Sequence, residues 1–174
     1  MSIQGFTPAQ IAAFTTSQIQ SLTTDDFKKL STAQINALTS EQIGAIETED
    51  LSVLSANQIK SFDAQEFADG MLTYQIEALN QTHIAALSTD QLSVLTTDQI
   101  QAIETRDLIK LSATQLNALS TEQFNNLSSD QIQSLTATQI KGLSTDQLST
   151  LTTDNVQLLT GAQIATLSIT QLNS

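Results

Sequence analysis

The sequence predicts an all-α fold, a solenoid or superhelix of very short helices with one helix in each eight-residue repeat. Three observations predict it. An octad recurs almost without interruption, most copies carry a helix-start signal, and two apolar positions hold in every copy. Leu87–Ala102, LSTDQLSV LTTDQIQA, shows two copies side by side. With positions lettered a to h, Leu is at a, Ser or Thr at b, an acid often at d, Gln at e, and Ile or Leu at f.

Residues 1–5 are a lead-in, and residues 6–174 form a single solenoid of 21 octads. Eight octads run from Phe6 to Asp69, Gly70 is inserted, and thirteen follow from Met71. Position b is Ser or Thr in 16 octads and e is Gln in 15, which is the spacing of a capping box. In that motif the hydroxyl accepts the N3 backbone N–H, and the N3 side chain accepts from the N-cap N–H. Positions a and f then become N′ and N4, the two ends of a hydrophobic staple.

Other residues fit the same frame. Pro8, the only proline, falls on N1, where a missing N–H costs nothing. Asp25, Glu41, Asp90, Asp98, Glu122, Asp130, Asp146 and Asp154 fall on N2, at the positive end of a helix dipole. In FDAQEFAD, Asp63 is the expected cap and Glu66 its partner. In IETEDLSV and IETRDLIK, Glu stands at b and Asp at e, and the cap is expected to shift to Thr48 and Thr105.

Alternative backbones fail on periodicity. In one continuous helix, eight residues turn about 800°, so the apolar stripe drifts roughly 80° per octad and circles the axis. In a strand, the a-to-f and f-to-a separations are both odd, so the apolar residues would alternate faces. Short helices that turn at every cap remain, each too short to be stable alone and held by its neighbours. Two octads per superhelical turn would give a helical hairpin, and three a triangular coil with six inward apolar side chains. The octad itself does not decide. Gly70 with its atypical flanks, including Leu72 at a cap position and Thr73 displaced by one, marks a local defect: a tolerated insertion, a hinge or a partner loop.

The 174 residues are 40% hydrophobic but only 4% aromatic, so the expected core is Leu, Ile and Ala. A net charge of −12 disfavours nucleic acid and anionic membrane, which need clustered Lys and Arg. Absence of Cys excludes disulfides and thiolate chemistry. MSIQGFTPAQ has no basic stretch followed by an apolar run, so no secretory or transit signal is expected, and no apolar run approaches the ~20 residues of a membrane span.

No catalytic, cofactor-binding or metal-ligating residue is expected, and no cofactor. His83 is the only histidine, sits at e above an Asn80 cap, and is expected to be a capping variant. Ser and Thr hydroxyls lack a His or Lys base at a motif spacing. Acids stacked in register would form a ladder for weak divalent cation binding. The sequons at Asn80 and Asn126 are expected by chance in so Ser/Thr-rich a chain. Lys28, Lys29, Lys60, Arg106, Lys110 and Lys141 are expected on the solvated surface, and Tyr74, Phe27, Phe67 and Phe124 as packing variants. The last octad, LSITQLNS, keeps Leu167 and Leu172 intact, so an array fragment or end-to-end contact between copies is expected.

Runs such as LSTDQLSTLTTDNV and LSATQLNALSTEQF resemble octapeptide-repeat arrays of large bacterial secreted and surface, adhesin-like proteins, over essentially the whole chain from Phe6. The resemblance implies a bacterial origin and a structural or adhesive role outside the cell. FTPAQIAAF is also similar to the opening helix of the TAL-effector repeat, a likeness of capping chemistry. The expected function is a non-enzymatic rod or filament-forming subunit or stalk at or outside the bacterial surface, although a cytoplasmic setting also fits. Its partners would be copies of itself or other surface proteins. The alternatives are a protein-binding scaffold and an acidic DNA mimic. A rod about 70 Å long, from helices stacking at ~10 Å, would parallel B-DNA carrying about 40 charges at one per ~1.7 Å. A net charge of −12 falls well short of that.

Overall fold

Each octad begins with an extended cap residue and folds into one helical stub. In the computed structural model, which describes residues 3–173, a 3-10 turn at Ile3–Gly5 precedes twenty-one α-helices, with no strand among the described residues. The first three turns of the coil are α1 (Pro8–Ala12), α2 (Thr16–Gln20), α3 (Thr24–Lys29), α4 (Thr32–Asn36), α5 (Ser40–Gly44), α6 (Thr48–Ser52), α7 (Ala56–Ser61), α8 (Ala64–Gly70) and α9 (Thr73–Glu77). The next two are α10 (Gln81–Ala86), α11 (Thr89–Val94), α12 (Thr97–Gln101), α13 (Thr105–Leu108), α14 (Ala113–Leu116) and α15 (Thr121–Asn125). The last two are α16 (Ser129–Ser134), α17 (Ala137–Lys141), α18 (Thr145–Ser149), α19 (Thr153–Leu158), α20 (Gly161–Ile164) and α21 (Ile169–Leu172).

The packing settles the number of octads per turn at three. Helix α1 packs on α4, α4 on α7, and so on to α19; α2, α5 and α8 begin a second column that runs to α20. The third column holds the 3-10 turn, α3 and α6, then α9, α12 and α15, and ends on α18 and α21. The solenoid is therefore a three-sided coil that repeats every 24 residues.

Corners are made by side chains. At a typical corner Ala13 is still helical (φ −87, ψ −2), and Thr15 is extended (φ −74, ψ 160) before α2 begins. No described residue has positive φ, so no corner depends on a left-handed glycine. The Thr15 hydroxyl accepts the Gln18 N–H at 3.2 Å, and Gln18 Oε1 accepts the Thr15 N–H at 2.8 Å. The same reciprocal pair opens most of the other helices, as at Ser88 with Gln91 and Thr136 with Gln139. Positions a and f meet in one continuous core, with f fully covered from Ile11 to Ile140 and a from Leu30 to Leu143. Burial of an aliphatic side chain contributes about 1.5–3 kcal/mol, and six per turn hold stubs that could not persist alone.

Three expectations are corrected. At Glu47 and Glu104 the cap does not shift to Thr48 and Thr105: both glutamates occupy the N-cap with extended backbone and make no side-chain cap bond. The staple at a and f fixes the phase, and the hydroxyl is dispensable. Asp63 does cap α8, accepting from Gln65 and Glu66 N–H, but Glu66 turns away and accepts the Ser40 N–H of α5. Tyr74 is no packing residue; d points outward, and it stands 52% exposed beside exposed Leu72. Phe27, Phe67 and Phe124 are buried at f as expected, and the six cations lie on the surface.

Gly70 is neither hinge nor loop. The extra residue lengthens α8 to seven residues, and a Cβ on Gly70 would fall 2.4 Å from the Ser40 carbonyl oxygen and 2.9 Å from Ile43 Cβ. Glycine is required there by space, because α8 lies directly on α5.

Candidate functional site

The glutamine at e has a second role that capping leaves open. Its Oε1 is used by the N-cap of its own helix, which frees the Nε2 amide to reach one turn back. Gln91 Nε2 donates to the carbonyls of Ile59 and Phe62 at 3.0 and 3.2 Å, and Gln139 Nε2 to those of Leu108 and Leu111 at 3.1 and 2.8 Å. The acceptors are the f carbonyl of one octad, which also accepts the N–H three residues on, and the a carbonyl of the next, where the chain has left the helix. The pattern recurs at Gln34, Gln42, Gln58, Gln75, Gln123, Gln131 and Gln163, and at Gln99 the g carbonyl of Ala68 stands in for that of f. A buried ladder of carboxamides thus sews each turn to the one before it. Across Gly70 the separations lengthen by one residue, at Gln75 and Gln91, and then recover.

The ladder escapes a reading based on capping, although a signal for it exists. A capping box accepts Glu as readily as Gln, yet e is Gln fifteen times and Glu once. Only the amide can also donate.

His83 keeps both halves of the role. Its Nε2 lies 2.8 Å from the Leu54 carbonyl and its Nδ1 3.4 Å from the Asn80 N–H, so the neutral ring with a proton on Nε2 satisfies both contacts. Burial lowers its pKa, opposed by the Leu54 bond. Asn155, one carbon shorter, reaches Asn125 instead, through the carbonyl at 2.9 Å and Oδ1 at 3.2 Å.

Asp50 and Asp107 are the departures. They are 6% and 2% exposed at the ladder position, and a carboxylate has nothing to donate. Burial raises both pKa values; at Asp50 the neighbouring Glu47 and Glu49 add to the rise, and at Asp107 Arg106 opposes it. Arg106 Nε lies 2.5 Å from Glu104 and 3.8 Å from Asp107.

Exposed acids follow the columns. Asp25, Glu49, Asp98, Glu122 and Asp146 occupy the same outward N2 position of the third column. Among the described residues no group of three or more acids, histidines or cysteines is placed to hold a metal ion. Among the same residues, no helix is long and apolar enough to cross a membrane. Shallow open concavities line the surface, one floored by Ala56, Ala85 and Ala86 with Lys110 at its edge.

This unit, a Leu, two hydroxyl residues, a variable position and a Gln, agrees with a known repeat. Residues 19–46, 70–102 and 100–137 match the ALTTAQ repeat, and together they span more than half of the chain. The chain belongs to the ALTTAQ repeat family. Read as residues, the six letters fall on positions h, a, b, c, d and e of the octad, from the small residue that ends one stub to the amide of the next. The ALTTAQ signature therefore contains the staple residue, the cap and the ladder donor, which are the parts that build the coil. No curated protein matches the chain.

Proposed function

We propose that this ALTTAQ repeat chain is a non-enzymatic structural protein, a rod-forming subunit or stalk at or outside the bacterial cell surface that extends by head-to-tail contact between copies. The observation that carries the proposal is the polarity of the ladder. Each turn offers carbonyls to the next turn and amide donors to the previous one, so its two faces are complementary.

In the first turn Gln10 and Gln18 are exposed, whereas the same position is buried from Gln34 onward in most octads. Phe6 and Phe14 lie only half-buried beside them, edge to face at 5.1 Å. In the last turn Val156, Ile164 and Leu172 are 46%, 42% and 59% exposed at f. A contact of unlike faces that repeats without closing produces a filament. The resemblance to octapeptide arrays of secreted and surface proteins supports the location.

Sedimentation of the 1–174 polypeptide over a wide concentration range, with negative-stain microscopy, tests assembly. Fibres that lengthen with concentration and are shortened by Ile164→Asp with Leu172→Asp are expected. A monomer at every concentration overturns it. Discrete short particles that capture other surface proteins would favour a scaffold, which the open concavity at Ala56, Ala85 and Ala86 would serve. Protease treatment of intact cells tests the location, and full protection of the chain overturns it.

A further inference from the structure

Two buried rungs of the ladder carry an acid where most carry an amide. In the common register Gln34 donates to carbonyls 31 and 28 residues earlier, those of Ile3 and Phe6. The register sets Asp50 over the stretch from Ile19 to Leu22 and Asp107 over that from Ile76 to Leu79, and Asn155, a side chain of the same length, uses the carbonyl 30 residues earlier. Ionised, each side chain brings negative charge toward carbonyl oxygens and leaves the rung without a donor. Protonated, each gains one O–H and becomes a short analogue of the amide.

We propose that Asp50 and Asp107 make two seams of the solenoid acid-closing, so that the α3–α6 and α10–α13 contacts are loose when these carboxyls are charged and tighten when each takes up a proton. The local sequence is built the same way at both. Each is preceded three residues earlier by a glutamate N-cap, Glu47 or Glu104, whose side chain makes no cap bond. The hydroxyl that elsewhere shares the capping box is replaced by a second acid, which disfavours ionising both.

Neighbouring charges leave the assignment intact. Below Asp50, α3 carries Asp25, Asp26, Lys28 and Lys29; Lys28 pairs with Asp25 at 3.3 Å, and Asp26 is held by Thr23. The next octad of that column, α9, carries Tyr74 and Glu77, both exposed. Below Asp107, α10 carries His83, whose ring is committed to Leu54. Above it α16 carries exposed Asp130, and beside it stands Arg106. Asp107 thus has a cation close by that Asp50 lacks, and Asp50 is the stronger of the two switches.

Both folded-state pKa values are raised, so folded chain binds these protons more tightly than unfolded chain. Stability therefore rises as pH falls from neutral through the raised values, and the gain is complete below the ordinary carboxylate value. Asp50→Gln with Asp107→Gln restores the donor, and Asp50→Asn with Asp107→Asn keeps the shape.

The test compares amide hydrogen exchange, corrected for intrinsic rate, and melting temperature between pH 7.5 and pH 4.5 for all three proteins. In the parent chain, protection of the amides in α3, α6, α10 and α13 should rise on acidification, towards a limit of about tenfold for every factor of ten by which folding tightens proton binding, a limit reached only below the ordinary carboxylate value. In both amide variants that protection should already be high at pH 7.5 and gain no such rise. His83 is common to all three and cancels in the difference. A stability difference between parent and variants that stays constant with pH overturns the proposal, as do variants less stable than the parent at pH 7.5.

Discussion

At the residue scale, one carboxamide answers two hydrogen-bond deficits at once. Oε1 of Gln91 accepts the orphan N–H at the start of its own helix, and Nε2 donates to the carbonyl of Phe62, where the chain has left a helix one turn below, and shares that of Ile59 with the Phe62 N–H. Gln91→Ala should lower stability by about 1–3 kcal/mol, because buried polar groups are left without partners. Gln91→Glu separates the two roles: it keeps the acceptor, loses the donor, and should recover stability on acidification, as chemical denaturation at pH 7.5 and pH 4.5 would show. His83 carries the opposite sign. Its folded-state pKa is depressed, so it contributes stability that is present above the ordinary histidine value and lost as pH falls through the depressed one. His83→Gln should therefore remove part of the stability loss on mild acidification, measured by melting temperature from pH 7 to pH 5.

At the scale of the element, a five-residue helix is specified by its ends. The staple marks each start and the hydroxyl cap most of them, with Pro8 at N1 of the first, which is why nearly every stub is legible in the residues alone. The same economy explains where the structure departs from that reading. Because a and f alone hold phase, Glu47 and Leu72 can stand at the N-cap without a capping side chain, and no neighbouring threonine takes over. The ladder is hidden for a related reason: capping accounts fully for a Gln at e, and only the scarcity of Glu there points to the amide. At α8 the constraint is space. Gly70→Ala should cost about 1–3 kcal/mol through overpacking against Ser40 and Ile43, whereas Gly161→Ala, with open space around its Cβ, should be near neutral. Thermal unfolding of the two variants side by side checks this, and equal effects would contradict the close approach of α8 to α5.

At the scale of the molecule, the three-octad turn is invisible in the sequence because all three sides are made from the same unit; the choice between two and three is decided by how the stubs pack. Stability is then close to a sum over turns. Deletion of residues 111–134, one full turn, should leave helical content per residue unchanged and shorten the particle by about one-seventh, measured by small-angle scattering. Deletion of residues 111–122 breaks octad phase and should unfold the chain around the junction. The mismatch between the eight-residue unit and the 24-residue turn also bears on how such a gene can vary. Gain or loss of a single unit by replication slippage keeps every rung of the interior and swings everything downstream by one face of the prism. Five acids that share a side, Asp25 through Asp146, could be divided between two sides by one such event, so the outward pattern of the rod can be redrawn without touching what holds it together.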